Sequence, residues 1–545
     1  MQGQSPFVGR GALAARWLGC GCVAAIFAWS VSRFYLPGYG FTYLIGFGGK
    51  NHAQFLPEVK GARHYEFPDS SGYDSQAYVQ IAMHPRLGDP ALATAVDNLP
   101  YRAHRILFEI IPWLIGGGQP RRIMSAYALQ NVVCWMLLAA LLFRWLPPAS
   151  WGNFFRWAAT LWSFGLIFSV RGALLDGPAL LLASAAVALL ESGRPWWGSL
   201  VLGISGLGKE TSVLCGSALE PPAPRDPRAW AAWLGRVAVM LLPLSLWLSC
   251  LRLWLGPGGE FGVRNFSAPF AGVSRKLASA VSGLAAEGRP LHSVAALDLL
   301  VLVGLLAQFL FFASRIRRSD TWWRVGASTG LLMVFLGDAV WESYPSAAAR
   351  VLLPMTLAFN ICVPKRGWWP LLLIAGNLGV LASADLLNPP VRDEYYMVEG
   401  PRALRIDPDS GDVVEAAFVA GNWSSPERER LPGRKTWDYW RWSTGDASVE
   451  IHNPHPYAIL ADVSFGLATV DARAAAVNLA GKVVWRGMLL PARDNQAAIA
   501  EVELPPGDTR LLFTSDRAGA SPGGGDPRAL TFSVRNLKIR LRESR

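Results

Sequence analysis

Two patterns of apolar positions divide the chain. Up to about residue 388, apolar stretches recur at the length that spans a bilayer core of about 30 Å, which takes about 20 residues in a helix. The windows 11–31, 123–143, 153–170, 173–190, 230–255, 294–313, 322–341, 347–364 and 367–386 fit. A further window, 196–218, is broken by Lys209 and Glu210. The reading is about ten spans. The segment 104–118 is apolar but short and carries Pro112, which predicts an interfacial helix. The first window exceeds a signal-peptide apolar run of about 7–15 residues and is expected to stay as the first helix.

After Pro389-Pro390 the pattern changes to short alternating runs. Trp437–Trp442, Ser448–Ile451, Ile459–Phe465, Ala475–Leu479, Val483–Trp485, Ala498–Leu504, Arg510–Thr514 and Leu530–Leu541 read as strands. Asn453-Pro454, Pro505-Pro506-Gly507-Asp508 and Gly523-Gly524-Gly525 are breakers between them. Short strands at regular spacing predict a β-sandwich over 391–545, with its own core. The fold class is a polytopic α-helical membrane domain, residues 1–388, followed by a C-terminal all-β sandwich.

Composition agrees with lipid burial: 52% of residues are hydrophobic and 17% charged. The formal charge of +11 is a topology signal here and does not imply nucleic acid, because the basic excess lies in short loops. Arg10 and Arg16, Arg144 and Arg156, Arg194, Arg225, Arg228 and Arg236, Arg315, Arg317, Arg318 and Arg324, and Lys365 and Arg366 mark cytoplasmic ends. They place the N-terminus inside if 196–218 enters and returns on the cytoplasmic side; Arg121 and Arg122 oppose that path. Loop 32–103, loop 256–293 and the sandwich are then extracytoplasmic.

The six cysteines all fall in apolar segments, where a thiol is a small buried hydrophobe, and no cysteine or histidine cluster suggests zinc. Residues 203–209 match the first seven positions of a phosphate-binding loop, but Glu210 stands where a magnesium-binding hydroxyl belongs, so nucleotide binding is not expected. The charges inside apolar windows carry more weight, because a charge at the bilayer centre costs about 2.5–3.5 kcal/mol on insertion scales. Lys209 and Glu210 could satisfy each other, or Lys209 could face a lipid phosphate. Asp176 could cap a helix, and Arg350 follows Asp338 and Glu342 closely in sequence. Loop 32–103 is too long for a connector and holds Asp69 and Asp74, with Arg102, His104 and Arg105 at its end. Paired arginines at that position suit a phosphate or pyrophosphate headgroup.

GYDSQAYVQIAMHP from Gly72, DNLPYRAHRIL from Asp97, LLDGPALLLA from Leu174, GKETSVL from Gly208 and ARVLLP from Ala349 occur in that order. Together they resemble bacterial multi-pass membrane proteins related to the GT-C glycosyltransferases, whose members read GYDGQ-x-YYxIA, RYxRxLyP, DPxAL, a TRET-like block and SRxLLP. The likeness covers residues 70–360 and, less fully, the sandwich after 437. It implies transfer of a sugar from a polyprenyl-phosphate donor to a cell-envelope acceptor, outside the bacterial inner membrane. It also implies catalysis by Asp74 as general base and lipid-phosphate binding by Arg102, Arg105, Lys209 and Arg350. Asp69, Tyr73, Gln76, His104, Asp176, Glu210 and Glu342 are expected to support them. Ser75 stands where the family has Gly, Gly177 intervenes before Pro178, and Lys209 replaces Arg. No metal ligand is assigned, a divalent-metal requirement stays open, and the polyprenyl-phosphate-linked sugar is expected as the donor substrate. A lipid-linked glycan transporter or flippase, or a non-catalytic assembly subunit with a carbohydrate-binding sandwich, also fits the charges and the Trp437, Tyr439, Trp440, Trp442 and Trp485 aromatics.

Overall fold

The computed structural model describes residues 6–35, 39–67, 70–223, 226–256, 263–287, 294–342, 347–365, 367–384, 386–387, 402–406, 413–419, 421–424, 427–429, 438–453, 455–491, 493, 495–523 and 526–542. Helices fill the N-terminal part. Among the described residues four of them, Gly11–Ser32, Pro120–Arg144, Pro227–Leu255 and Val294–Ser314, are long and apolar enough to cross a bilayer. The other expected spans are built from shorter pieces. Window 153–170 divides into Trp151–Leu161 and Phe164–Arg171, and 347–364 into Ala348–Val351 and Leu353–Cys362. Local chemistry sets many of the starts. Pro120, Pro195 and Pro227 stand at first helical positions, where a missing N–H costs nothing. Asp226 and Asp320 accept hydrogen bonds from the free N–H groups of the turns they begin.

Window 196–218 is broken, as the sequence predicts. A helix runs from Pro195 to Gly206, Lys209 is extended, and Glu210–Ala218 continues as 3-10 turns. The break is held from outside: Leu107 N–H donates to Leu207 O at 3.1 Å. A Cβ on Gly208 would come within 2.3 Å of the Phe108 ring, so glycine lets the two segments meet.

The long polar loop is a folded layer. Two short strands, β1 (Phe47–Gly48) and β2 (Glu66–Phe67), pair in parallel. The helix Asp74–Met83 follows, buried along nearly its whole length. Gln80 ties this layer together by accepting from Leu56 N–H and donating to Ala95 O, both at 2.8 Å. Gln76 binds Gly48 N–H at 3.0 Å and Ser71 O at 2.7 Å. Gly72 has φ +78°, and a Cβ there would fall 2.1 Å from Gln76 Oε1, so the turn into the helix requires glycine.

The C-terminal part is a sandwich of antiparallel strands: β3 (Arg402–Ile406), β4 (Val413–Phe418), β5 (Glu427–Glu429), β6 (Asp438–Trp442), β7 (Ala447–Asn453), β8 (Ile459–Ala468), β9 (Arg473–Leu479), β10 (Lys482–Leu489), β11 (Asn495–Leu504), β12 (Gly507–Ser515) and β13 (Ser533–Leu541). One sheet has the order β10-β9-β12-β7-β4-β3 and the other β11-β8-β13-β6-β5. Alternation places Ile459, Ala461, Val463, Phe465 and Leu467 of β8 inside, against Val449, Val477 and Phe513 of the facing sheet. This core is separate from the helical one. Trp485 packs against it, half-buried, while the Trp437 and Tyr439 side chains lie outside the described residues.

Candidate functional site

Asp74 is the first residue of its helix, and its side chain is 37% exposed. A carboxylate there meets the positive end of the helix dipole. Arg102 Nη1 forms an ion pair with Asp74 Oδ1 at 2.9 Å. The rest of that guanidinium is held by Asp97, with Nε to Oδ1 at 2.9 Å and Nη2 to Oδ2 at 2.8 Å, a bidentate pair. Burial raises the Asp97 carboxyl, but its bonds to Arg102 outweigh this and hold it below the ordinary carboxylate range.

Tyr78 lies one turn further along, fully buried, and its hydroxyl oxygen accepts from Arg102 Nη1 at 3.3 Å and from Arg105 Nη1. Burial pushes this phenol up to about 12, against the pull of Arg105 and Arg102, so it is neutral at physiological pH. Arg105 also donates to Tyr101 Oη at 3.1 Å and, from Nε, to Glu210 Oε2 at 3.0 Å. His104 Nδ1 lies 3.4 Å from Glu210 Oε1.

A second cluster adjoins. Asp176 binds Lys209 through Oδ1 and Arg350 Nη1 through Oδ2, the latter at 3.0 Å. Arg350 Nη2 donates to Tyr73 Oη at 3.2 Å. Glycines make the approach feasible. A Cβ on Gly165 would sit 2.2 Å from Ala349 O, so glycine seats the turn carrying Arg350. A Cβ on Gly177 would sit 2.4 Å from Asn131 Oδ1, which accounts for the glycine between Asp176 and Pro178.

The two clusters form one circuit. An ion pair joins Asp74 to Arg102, and hydrogen bonds join Arg102, Tyr78, Arg105 and Glu210, and likewise Lys209, Asp176, Arg350 and Tyr73. The adjacent pairs Glu210–Lys209 and Tyr73–Asp74 close the ring through the backbone. The cations Arg102, Arg105, Lys209 and Arg350 are balanced by Asp74, Asp97, Glu210 and Asp176. An incoming phosphate must therefore displace a carboxylate or use an unfilled donor. Arg350 Nε, buried without a partner, is one such donor.

Several pairings differ from those read in the sequence. Lys209 and Glu210 do not satisfy each other; the extended backbone at Lys209 turns the two side chains to different partners. Asp176 does not cap its helix, because its carboxylate is taken by the two cations. Glu342 is not beside Arg350: it is exposed and pairs with Arg264, while Asp338 pairs with Arg275 at 2.8 Å. Gln76 braces the Gly72 turn, and Asp69 lies outside the described residues. The Ser75 hydroxyl donates to Gly172 O, fixing the helix start to a neighbouring turn.

Asp97, Tyr78 and Tyr101 stand among the polar residues of loop 32–103, but the sequence assigned them no role, and Glu109 was not singled out. Glu109 is fully buried in the helix Leu107–Gly116, with no hydrogen-bond partner for either carboxylate oxygen. Burial pushes its carboxyl well above the ordinary range. One acid in an apolar segment, four residues after Arg105, was the available signal.

No protein-family model and no curated protein matches the chain. Among solved structures, the arabinosyltransferase EmbB from Mycobacterium smegmatis aligns over 100% of this chain and 66% of its own, at 10% identity and a TM-score of 0.36. A family 35 carbohydrate binding module from Clostridium thermocellum aligns over 23% of this chain and 96% of its own, at 14% identity and a TM-score of 0.16. The Podospora anserina GH26-CBM35 beta-(1,4)-mannanase aligns over 24% of this chain and 28% of its own, at 10% identity and a TM-score of 0.17. Likenesses of this strength carry no argument about fold or activity.

Proposed function

We propose that the chain is a membrane glycosyltransferase of GT-C type, which moves a sugar from a polyprenyl-phosphate donor to an extracytoplasmic acceptor. The observation that carries this reading is the Asp74–Arg102 pair: a half-exposed carboxylate on a guanidinium otherwise fixed by Asp97. A phosphate that takes Asp74's place on Arg102 frees the carboxylate beside the sugar it carries. Asp74 then accepts the proton of the acceptor hydroxyl as its oxygen attacks the anomeric carbon. The bond from that carbon to the phosphate oxygen breaks, and the electron pair leaves with the phosphate. Arg102 and Arg350 stabilise the charge that develops there. In this reading about ten spans cross a bacterial inner membrane, with loop 32–103 and the sandwich outside.

The test is transfer from radiolabelled polyprenyl-phosphate sugars to cell-envelope glycan in a deletion strain. Asp74→Asn keeps the volume but cannot take a proton, and a loss of about 10²–10⁴ in rate is expected at equal protein level. Wild-type activity in that variant removes Asp74 from the mechanism. The break at Lys209 also suits a transporter of lipid-linked glycans, since such sites are built on interrupted helices. Movement of labelled lipid across reconstituted vesicles, with no transfer from several donors, moves that reading ahead.

A further inference from the structure

The end of the Asp74 helix carries a second cluster, away from the ring. His84 follows the last helical residue, Glu58 lies on the short helix Pro57–Gly61, and Asp89 on the turn before Leu92–Ala95. His84 Nε2 is 3.2 Å from Glu58 Oε1 and 3.5 Å from Asp89 Oδ2, and one ligand atom from each residue lies within 4.8 Å of the others. We propose that Glu58, His84 and Asp89 form a binding site for a first-row divalent cation, with Zn²⁺ as its representative, that pins this folded layer together.

Three observations support it. Tetrahedral ligands at the usual zinc distances of about 2.0–2.1 Å lie about 3.3–3.5 Å apart, close to the 3.2 Å and 3.5 Å that separate His84 Nε2 from Glu58 Oε1, now its hydrogen-bond partner, and from Asp89 Oδ2. Next, the second oxygen of Glu58, Oε2, is hidden from solvent and has no hydrogen-bond partner. A buried carboxylate oxygen without a donor is unfavourable, and a cation bound by this carboxylate supplies the missing positive charge. Finally, Asp89 is already oriented: its Oδ1 accepts from Ala91 N–H at 2.8 Å, which leaves Oδ2 to face His84. The side chains of Glu58, His84 and Asp89 are 40%, 30% and 32% exposed, so a cation can enter and water can fill the remaining positions. One imidazole with two carboxylates suits zinc or manganese better than calcium or magnesium, which take oxygen ligands.

The site would act through placement. It joins the Pro57–Gly61 helix, the end of the Asp74 helix and the following turn, and so fixes the element that presents Asp74. It stands whether or not the chain transfers sugar, because its readouts are binding and melting. The experiment uses the full chain in detergent, stripped by a chelator and titrated calorimetrically with ZnCl₂. Wild type is expected to take up one equivalent more than His84→Asn or Glu58→Gln, with affinity in each variant reduced about tenfold or more. Added Zn²⁺ should raise the melting temperature of wild type and leave that of the variants unchanged. If His84→Asn does not fold, Glu58→Gln, on the most exposed ligand, decides alone. Equal uptake by wild type and folded variants, or no uptake by folded wild type, overturns the proposal.

Discussion

Lys209 and Glu210 are chain neighbours that serve opposite halves of one network: Lys209 binds Asp176, and Glu210 binds Arg105. The broken helix is thus a bridge between the loop that carries the arginines and the helix that begins with Asp176. Charges that hydropathy reads as a defect hold the two halves of the candidate site together.

Asp176 is the critical member of its cluster. Asp176→Asn leaves Lys209 and Arg350 buried beside a neutral amide. Removing one partner of a buried pair costs about 3–5 kcal/mol. Thermal unfolding in detergent should show a large drop, and restoring the charge as Asp176→Glu should recover only part of it. An unchanged melt means that water reaches and screens this cluster.

Glu109 should behave as an uncharged acid. Glu109→Gln replaces a protonated carboxyl with an amide of similar shape, so the melt should shift little. Infrared spectra of wild type should show the carbonyl band of a protonated carboxylic acid, absent from the variant. A strong destabilisation without that band indicates a charged Glu109 held by Arg105.

The Arg102–Asp97 pair makes stability depend on pH in a defined direction. The folded carboxyl of Asp97 titrates below its unfolded value of about 3.9. Its contribution is therefore complete above about pH 4 and disappears as pH falls through the lower folded value. Wild type should melt above Asp97→Asn at neutral pH, and the gap should close on acidification below about pH 4. A gap that does not change with pH means the residue acts through packing alone.

The fragment 391–545 should fold alone, because the β3–β13 sheets enclose a core of their own. A β-type circular dichroism spectrum with a cooperative melt is the expected outcome. A disordered fragment means the sandwich needs the helical part to fold.

The legible and illegible parts of this chain separate by the range of the forces involved. Runs such as 294–313 announce a helix because one segment carries the whole signal, and β8 announces itself by alternation. Strands β3 and β5 gave no such signal. Arg402–Ile406 and Glu427–Glu429 mix charges with few apolar residues, and they are recruited at sheet edges by backbone pairing. The members of the ring could be nominated because charges in apolar surroundings need partners. Their pairing could not be read, since Arg105 reaches across 105 positions to Glu210 and Arg350 across 174 to Asp176. Glu342 was expected to support the site and stands close to Arg350 in sequence, yet its partner is Arg264.

A closed circuit of charges has a consequence for how its parts can be measured. In an open chain of contacts, deleting the last member disturbs one neighbour. Here every residue has two, and the links from Glu210 to Lys209 and from Tyr73 to Asp74 are covalent. Single substitutions will therefore report the response of the whole loop. Their effects should fail to sum, most sharply for Arg102 with Arg350, which are joined by paths in both directions. Dividing labour among these side chains requires double-mutant cycles, and a rate lost in one variant is not that residue's own share.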